Sequence, residues 1–391
     1  MDPLRGIPLL GDLPDLEGKR VLVRVDFNVP LHIGVRGQAT VADDFRIAAA
    51  LPTLRWLQDQ GAEVEAASHL GRPAGAPDPR WEMDPVRDRL VALCPGVGLT
   101  DNLRFDPGEK ANDPAFVQRL IAGYDAYVDE AFGAAHRTHA SIVGPPAFLP
   151  SAAGLRFARE VEVLGQMLER PARPFVAVVG GAKVADKLGV LNVLATKVDT
   201  LVVGGGMAFT FLVAQGAQVG NSLFDPGHLE DCRELLASGV NIVLPTDTRA
   251  LEPGGTFGPP SAGHGPRGSV KVIEGDLPDG WTGLDIGPDS AAAFAEVVLG
   301  AGTVLWNGPL GAFEDRRFAG GTRIVAEAVA RCPGYSVVGG GDSASALEEL
   351  CLTDQVDFLS TGGGASLAYI ESEGHLPGID ALRLAPNAPR G

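Results

Sequence analysis

The chain has 391 residues, of which 45% are hydrophobic, and this length and apolar content predict two domains that each bury a core. A formal net charge of −17 at pH 7 argues against a nucleic-acid or anionic-membrane partner, so clustered basic residues are interpreted as pockets for a small anion. The chain has no apolar run of about 18 residues, so we expect no membrane span. Its first residues lack the basic and apolar pattern of a secretory leader, so we expect a cytoplasmic protein. Its four cysteines include no CxxC pair, so we expect reduced thiols and no zinc site.

Apolar, β-rich runs alternate with helical stretches from the start of the chain. A strand at Val21–Val25 precedes a helical pattern over Ala42–Gly61, and a second strand at Val64–Ser68 precedes another helical pattern over Trp81–Leu93. A third strand is expected at Ala126–Val128. This alternation predicts parallel sheets covered by helices, the α/β class.

The first strand continues into the polar run VLVRVDFNVP, Val21–Pro30. Because side chains alternate along a strand, Arg24, Asp26 and Asn28 are expected on one face. A structural ion pair explains these charges as well as a binding site does. A surface hairpin is expected within His32–Ala42.

Basic side chains recur near the predicted loop ends of the first half: His69, Arg72, Arg104, His136, Arg137 and His139, with Arg46 at the start of a helix. A single arginine in such a place is more often a surface residue than a ligand. Several of them in an acidic chain favour an anion pocket.

The segment Pro150–Pro174 has helical spacing and a proline at each end, so we interpret it as a stiff helical linker with the domain boundary near Arg170. The predicted domains are residues 1–170 and 171–370. The C-terminal tail, residues 371–391, is expected to pack back on the first domain.

Five strands of the second half run into glycine turns: Val176–Val179, Thr200–Val203, Thr303–Trp306, Tyr335–Val338 and Asp357–Leu359. Ligands of open α/β sheets bind outside the carboxyl ends of the strands, so five such turns predict one nucleotide-sized crevice. The alternative is that the glycines only permit tight turns.

Two of the chain's six lysines, Lys183 and Lys187, follow the first of these glycine turns in FVAVVGGAKVADKLGVL. If both lie on the first turn of a helix, they share one face and can reach the same anion at the helix N-terminus. The alternative is a helix with a solvated basic face.

Eight motifs occur in the order found in phosphoglycerate kinases, and the chain resembles that family over about Val21–Leu382: VLVRVDFNVP, SHLGRP, DNLRF, AHRTHAS, GGAKVADK, WNGPLGAFE, GGGDSA and STGGGASL. The resemblance implies two doubly wound, parallel-sheet (Rossmann-like) domains joined by a helical hinge. It implies reversible, Mg²⁺-dependent transfer between 1,3-bisphosphoglycerate with ADP and 3-phosphoglycerate with ATP in glycolysis, carried out by a monomer.

By the same resemblance the first domain binds 3-phosphoglycerate, through Asp26, Asn28, Arg46, His69, Arg72, Arg104 and Arg137. The second domain binds ATP or ADP, through Lys187, Gly205, Gly206, Gly283, Asn307, Pro309, Glu314, Gly340, Gly341, Asp342 and Ser343. Arg46, Lys183 and Gly363 are implied to be catalytic, and Asp342 is implied to bind Mg²⁺. The resemblance also implies a hinge in Pro150–Arg170 and Ser360–Gly364.

Two other functions stay open on the sequence alone. A dinucleotide-dependent oxidoreductase fits GGGDSA as G-x-G-x-x-A after a strand, but Asp357 lies at the start of the next strand, where it is not placed to bind a ribose. A non-catalytic binding module is disfavoured by the presence together of Arg46, Lys183, Lys187 and Asp342. Arg249, in LPTDTRA, has no assigned role.

Overall fold

A computed structural model describes residues 2–34, 37–258 and 268–389. None of the helices in this part of the chain is both long and apolar enough to cross a bilayer.

Strands and helices alternate as the sequence predicts. The first part of the chain contains β1 Arg20–Arg24, β2 Leu31–Ile33, β3 Ala39–Val41, α1 Phe45–Asp59, β4 Glu63–Ala67, α2 Asp84–Leu93, β5 Gly98–Leu99, α3 Gly108–Ala111, α4 Pro114–Ile121, β6 Ala126–Asp129, α5 Ala140–Val143, β7 Ser151–Ala153 and α6 Leu155–Glu169. The second contains β8 Phe175–Val179, α7 Leu188–Ala195, β9 Thr200–Val203, α8 Gly206–Ala214, α9 Leu229–Ala237, β10 Asn241–Val243, β11 Asp247–Leu251, β12 Val270–Glu274, β13 Thr282–Ile286, α10 Pro288–Leu299, β14 Thr303–Asn307, α11 Gly320–Arg331, β15 Tyr335–Gly339, α12 Gly341–Glu349, β16 Phe358–Leu359, α13 Gly364–Glu371 and α14 Pro377–Arg383.

The chain divides into two compact units. Unit 1 consists of Met1–Gln166 and Ser372–Gly391, and unit 2 consists of Met167–Glu371. On the chain, the division falls within α6.

Unit 1 is built on a five-stranded sheet in the order β5-β4-β1-β6-β7, and every neighbouring pair is parallel. The central strand carries Val21, Leu22 and Val23, each at most 1% exposed, because helices cover both faces of a parallel sheet. Ile47 and Leu54 of α1 pack into the same core.

Unit 2 is built on a six-stranded sheet in the order β10-β9-β8-β14-β15-β16, again with every pair parallel. Trp306 on β14 and Phe294 on α10 are fully buried in its core.

A separate antiparallel sheet, β12-β11-β13, carries Arg249 opposite Asp285. Burial raises the pKa of Asp285 to about 7, and the nearby Arg249 opposes that rise. Arg249 therefore lies beside a buried carboxyl group.

The first strand is shorter than the sequence pattern predicts. The ladder of β1 ends at Arg24, which pairs with Ala67 and Asp129, and residues 25–30 form no strand. The prediction that Arg24, Asp26 and Asn28 lie on one strand face is therefore wrong. The expected hairpin after this segment is present as β2 and β3, although Val35 and Arg36 lie outside the described residues.

The predicted linker begins with a strand instead of a helix. Residues Ser151–Ala153 form β7 at the edge of the unit 1 sheet, and the helix starts only at Leu155. The buried carboxylate of Glu130 accepts hydrogen bonds from the N–H groups of Arg156 and Phe157, both at 3.1 Å, and so satisfies first-turn donors of this helix. The prolines still bound the segment, but its first residues belong to a sheet.

The C-terminal tail lies in unit 1. The N–H of Gly378 donates to the carbonyl of Ala135 at 2.9 Å, and the side chain of Asn387 bonds both the N–H and the carbonyl of Ser151. Ile379 and Leu382 of α14 are fully buried. The tail thus supplies core residues to a unit that is otherwise formed by the start of the chain.

We expect Leu382→Ala to lower the free energy of unfolding by about 2–5 kcal/mol, because it leaves a cavity in the core under α14. The matched control is Leu384→Ala, two residues along the same chain, where the side chain is 81% exposed. Its expected effect is within about 0.5 kcal/mol. Urea unfolding of the full chain measures both. Equal midpoints for the two variants would contradict a tail that is part of the core.

Candidate functional site

A cavity of about 690 Å³ lies in unit 1. Segments that follow the carboxyl ends of β1, β4, β5 and β6 form much of its wall, because parallel strands all end at one edge of the sheet. Its lining residues are Asn28, Val29, Pro30, His69, Gly71, Arg72, Trp81, Arg104, Lys110, Arg137 and His139. The structure therefore brings together five of the seven predicted substrate-binding residues: Asn28, His69, Arg72, Arg104 and Arg137.

The cavity wall concentrates positive charge. Burial, together with the charges of Arg137 and Arg24, lowers the pKa of Arg104 to about 10. The same factors keep the pKa of His69 well below its usual value, so His69 is neutral near pH 7. The Nε of Arg104 is buried and has no hydrogen-bond partner among the residues that the structure describes. Neighbouring cations with an unsatisfied donor form a site that an anion would stabilise.

The other two predicted residues, Asp26 and Arg46, form an ion pair. Arg46 lies in the first turn of α1, and its Nη1 donates to Oδ2 of Asp26 at 2.6 Å. Asp26 is therefore paired with Arg46, which lies on α1, and not with Arg24 of its own segment. Asn28 is held differently, since its Oδ1 accepts a hydrogen bond from the N–H of Gly71 at 2.8 Å.

Sequence reasoning missed Trp81 and Lys110 of the cavity wall, whereas His139 was among the basic residues expected near an anion pocket. A Cβ at Gly71 would lie 2.1 Å from the ring of Trp81, so this glycine admits the indole. The sequence signal that could have pointed to Trp81 and Lys110 is the rarity of their residue types, because the chain has only four tryptophans and six lysines.

In unit 2, the glycine turns after β8, β9 and β14 pack against one another. The N–H of Gly181 donates to the carbonyl of Pro309 at 3.0 Å, and the N–H of Gly205 donates to that of Leu310 at 3.1 Å. A Cβ at Gly180 would lie 2.1 Å from the carbonyl oxygen of Pro309. At these positions the glycines serve to permit tight turns, because the turns could not approach one another so closely if a side chain were present.

Other glycines of the same edge face open space. A Cβ at Gly341, Gly363 or Gly364 would meet no atom within 4 Å. Gly341 and Gly364 begin α12 and α13, while Gly206 begins α8, whose cap is Gly205. Three helix N-termini therefore follow strands of one sheet, an arrangement suited to binding phosphate, although at α8 the N–H of Met207 already donates to the carbonyl of Gly181 at 3.0 Å.

The two lysines do not lie on a helix, and that prediction is wrong. Helix α7 begins at Leu188, so Lys187 is its cap, and Lys183 lies in the preceding loop. The Nζ of Lys187 donates to the carbonyls of Gly180 at 2.6 Å and Asn307 at 3.0 Å, and to Oδ1 of Asn307 at 2.5 Å. Burial lowers the pKa of Lys187 to about 8, although Asp342 and Asp186 oppose the shift. Lys187 thus joins the ends of β8 and β14.

Lys183 is exposed, and no hydrogen bond or ion pair of its ammonium group is found among the described residues. The structure therefore separates the two lysines by role: one is tied into the strand ends, and the other is available to a ligand.

Asn307 and Ser343 connect neighbouring turns. The Nδ2 of Asn307 donates to the carbonyl of Gly339 at 2.9 Å, and Oγ of Ser343 accepts from the N–H of Gly308 at 2.6 Å. Asp342, in the first turn of α12, is exposed, and no partner of its carboxylate is found in the described part of the chain. A single free carboxylate beside helix N-termini suits Mg²⁺, which binds one or two carboxylates together with phosphates and water.

Gly283 and Glu314 lie in segments joined by a hydrogen bond from the N–H of Ala312 to the carbonyl of Leu284, at 2.7 Å. The N–H of Gly283 donates to Oγ of Ser222, and a Cβ at this position would lie 2.3 Å from the ring of Phe209. Glu314 is exposed. Gly283 therefore has a packing role, and Glu314 presents its carboxylate to solvent.

Comparison with known proteins matches residues 10–99 and 94–373 to the family model described as phosphoglycerate kinase. A phosphoglycerate kinase of Rubrobacter xylanophilus is 47% identical over 94% of this chain and 96% of its own length, and one of Moorella thermoacetica is 46% identical over 94% and 97%. The solved structure of phosphoglycerate kinase from Coxiella burnetii superimposes with a TM-score of 0.84 at 36% identity, covering 96% of this chain and 98% of that one. The chain belongs to the phosphoglycerate kinase family.

Proposed function

We propose that the cavity of unit 1 binds 3-phosphoglycerate and that the glycine-rich sheet edge of unit 2 binds ATP or ADP. The family's reaction is reversible phosphoryl transfer between these two substrates in glycolysis, and this chain carries it out. The observation that carries the assignment of unit 1 is the buried Arg104, whose Nε lacks a partner inside a cavity lined by further cations. A ligand with negative charge would satisfy that donor and balance the neighbouring cations.

The chemistry fits the side chains that are present. In the ATP-consuming direction the acceptor is a carboxylate, which is already anionic, so no general base is required. Phosphoryl transfer then depends on positioning and on neutralising the charge that spreads over the transferred group. Arginine forks suit the non-transferred phosphate of the substrate, because two parallel N–H groups match two phosphate oxygens.

In unit 2, the exposed ammonium of Lys183 is assigned to the transferred phosphoryl group, and the open N–H groups at Gly341, Gly363 and Gly364 are assigned to phosphate oxygens. Asp342 would hold Mg²⁺, which when bound neutralises charge on the nucleotide phosphates. Lys187 supports this edge from beneath, since it joins Gly180 to Asn307.

The oxidoreductase alternative gains nothing from the structure. Asp357 precedes β16, and its Oδ2 accepts hydrogen bonds from the N–H and the hydroxyl of Ser336, at 2.8 and 2.9 Å. This carboxylate is bound within the sheet and is not offered to a ribose.

A coupled assay of ATP consumption with 3-phosphoglycerate and Mg²⁺ tests the proposed function. We expect turnover in both directions, with activity lost when Mg²⁺ is chelated. Binding of NAD in place of ADP, read by thermal shift, would contradict it.

We expect Lys183→Ala to lower kcat by about 10²–10³ while the KM values for both substrates change little, because charge on the group in transit is felt mainly in the transition state. Steady-state kinetics measure the two constants. The matched control is Lys271→Ala in the same unit, an exposed lysine whose described contact is with the ring of Trp281. A raised KM with unchanged kcat would make Lys183 a ground-state binder instead.

We expect ADP binding to take up protons at pH 8. The pKa of Lys187 is about 8 in the free protein, so a fraction of the Lys187 side chains is neutral at pH 8. A nearby phosphate raises this pKa, so these side chains take up protons when ADP binds. Uptake should disappear at pH 6, where Lys187 is already protonated. Calorimetry in two buffers of different ionisation enthalpy measures it. Persistence of the uptake in Lys187→Met would assign the proton to another group.

A further inference from the structure

Beneath the cavity of unit 1, a buried chain of hydrogen bonds joins four side chains from four segments. Arg24 ends β1, His69 follows β4, Glu109 lies on α3 and Ser141 lies on α5. All four are at most 5% exposed. Only His69 among them lines the cavity.

Each hydrogen bond of Arg24 has a separate acceptor. Its Nε donates to Oγ of Ser141 at 2.9 Å, its Nη1 donates to the carbonyl of Val25, and its Nη2 lies 3.2 Å from Nδ1 of His69. The guanidinium is thereby fixed in its plane and in its rotation. A change in any one contact would alter how it meets the imidazole.

The direction of each hydrogen bond follows from which of the two atoms carries a proton. A guanidinium only donates, so Nδ1 of His69 must accept and any ring proton of the neutral imidazole lies on Nε2. For the same reason Oγ of Ser141 accepts from Arg24, and its own proton goes to Oε1 of Glu109 at 2.7 Å. The chain therefore runs in one direction, from Arg24 through Ser141 to Glu109.

Glu109 is the acceptor that terminates this chain. Its Oε2 accepts the backbone N–H of Ser141 at 2.9 Å, and Nδ1 of His139 lies 3.6 Å from Oε1. Burial alone would raise the pKa of Glu109, but His139, Arg24 and Ser141 together hold the pKa below its usual value. A carboxylate held ionised by these donors stays an acceptor at neutral pH.

We infer that Glu109, acting through Ser141 and Arg24, is a positioning residue that locks His69 as a neutral Nε2–H donor facing the anion in the cavity. This inference rests on the proposed function of unit 1. It assigns to His69 a hydrogen bond to the substrate phosphate, whereas the positive charge comes from the arginines around it.

The charged groups that face His69 support a neutral donor. Arg24, Arg104 and Arg137 oppose its protonation, and Glu109 is the acidic group whose charge favours it. Burial opposes protonation as well. In the unliganded protein His69 therefore presents Nε2–H as a neutral donor.

A purely electrostatic role for Glu109 predicts the opposite mutant behaviour. If Glu109 were only a negative charge near the cavity, its removal would tighten anion binding, and Ser141 would be irrelevant. If the hydrogen-bond chain matters, Ser141→Ala weakens binding even though every charge is retained. Ser141→Ala therefore separates the two roles.

The test is calorimetric titration of the full chain with 3-phosphoglycerate, for Ser141→Ala, Glu109→Gln and Glu109→Ala. We expect about tenfold weaker binding in Ser141→Ala and in Glu109→Ala, the size of one hydrogen bond involving a charged group. We expect a smaller loss in Glu109→Gln, which keeps an oxygen acceptor for the serine hydroxyl. In the double variant Ser141→Ala, Glu109→Ala the losses should not add, because both act through one chain.

Two further measurements keep the result interpretable. Nitrogen-15 spectra of the His69 imidazole report the tautomer directly, and we expect Nε2–H in the wild type and a mixture in Ser141→Ala. Glu63→Gln, at an exposed position, controls for the loss of one charge. A wild-type affinity in Ser141→Ala, tighter binding in both Glu109 variants, or an unchanged tautomer in all of them would overturn the inference. If the wild type fails to bind 3-phosphoglycerate, the proposed function fails, while the tautomer still tests the chain of hydrogen bonds.

Discussion

Strand direction is the constraint on which both sites depend. All neighbouring strands of the two main sheets are parallel, so the segments that follow their carboxyl ends meet at one edge of each sheet. Residues far apart in the chain, such as Asn28 and Arg137 in one unit or Gly181 and Pro309 in the other, become neighbours for this reason alone. An antiparallel arrangement would distribute the same segments over both edges. The apolar strands are what make such sheets stable, since both faces are covered.

The two units use different chemistry to attract anions within a chain of net charge −17. Unit 1 gathers guanidinium groups around a cavity and balances them from below with the buried Glu109. Unit 2 relies on helix N-termini and glycine N–H groups, and its edge carries Lys183 as an exposed cation and Lys187 as a partly buried one. Arginine guanidinium groups around a cavity bind a compact phosphate, whereas backbone N–H groups along a sheet edge leave room for an extended ligand.

The sequence was sufficient for the alternating strands and helices at the centre of both parallel sheets, for the convergence of the five glycine turns and for five of the cavity residues, but not for β7 or the antiparallel sheet β12-β11-β13. It failed where partners distant in the chain decide the local structure. The apolar alternation continues past Arg24, but the strand ends there because its last partners are Ala67 and Asp129. Lys187 lies before α7 because its ammonium bonds Gly180 and Asn307, and no local pattern contains that information. Trp81 and Lys110 enter the cavity from short helical segments that belong to no motif.

The crowding of Arg24, Arg104 and Arg137 has an evolutionary consequence. Burial, together with the like charges of Arg137 and Arg24, lowers the pKa of Arg104 to about 10, and a cation held in such a place opposes folding of the unliganded chain. Replacing Arg104 or Arg137 with a neutral residue is thus a direct route to a more heat-resistant protein. Selection or laboratory screening for thermal tolerance alone would drift toward such replacements and away from turnover, because Arg104 and Arg137 are also the charges assigned to the substrate.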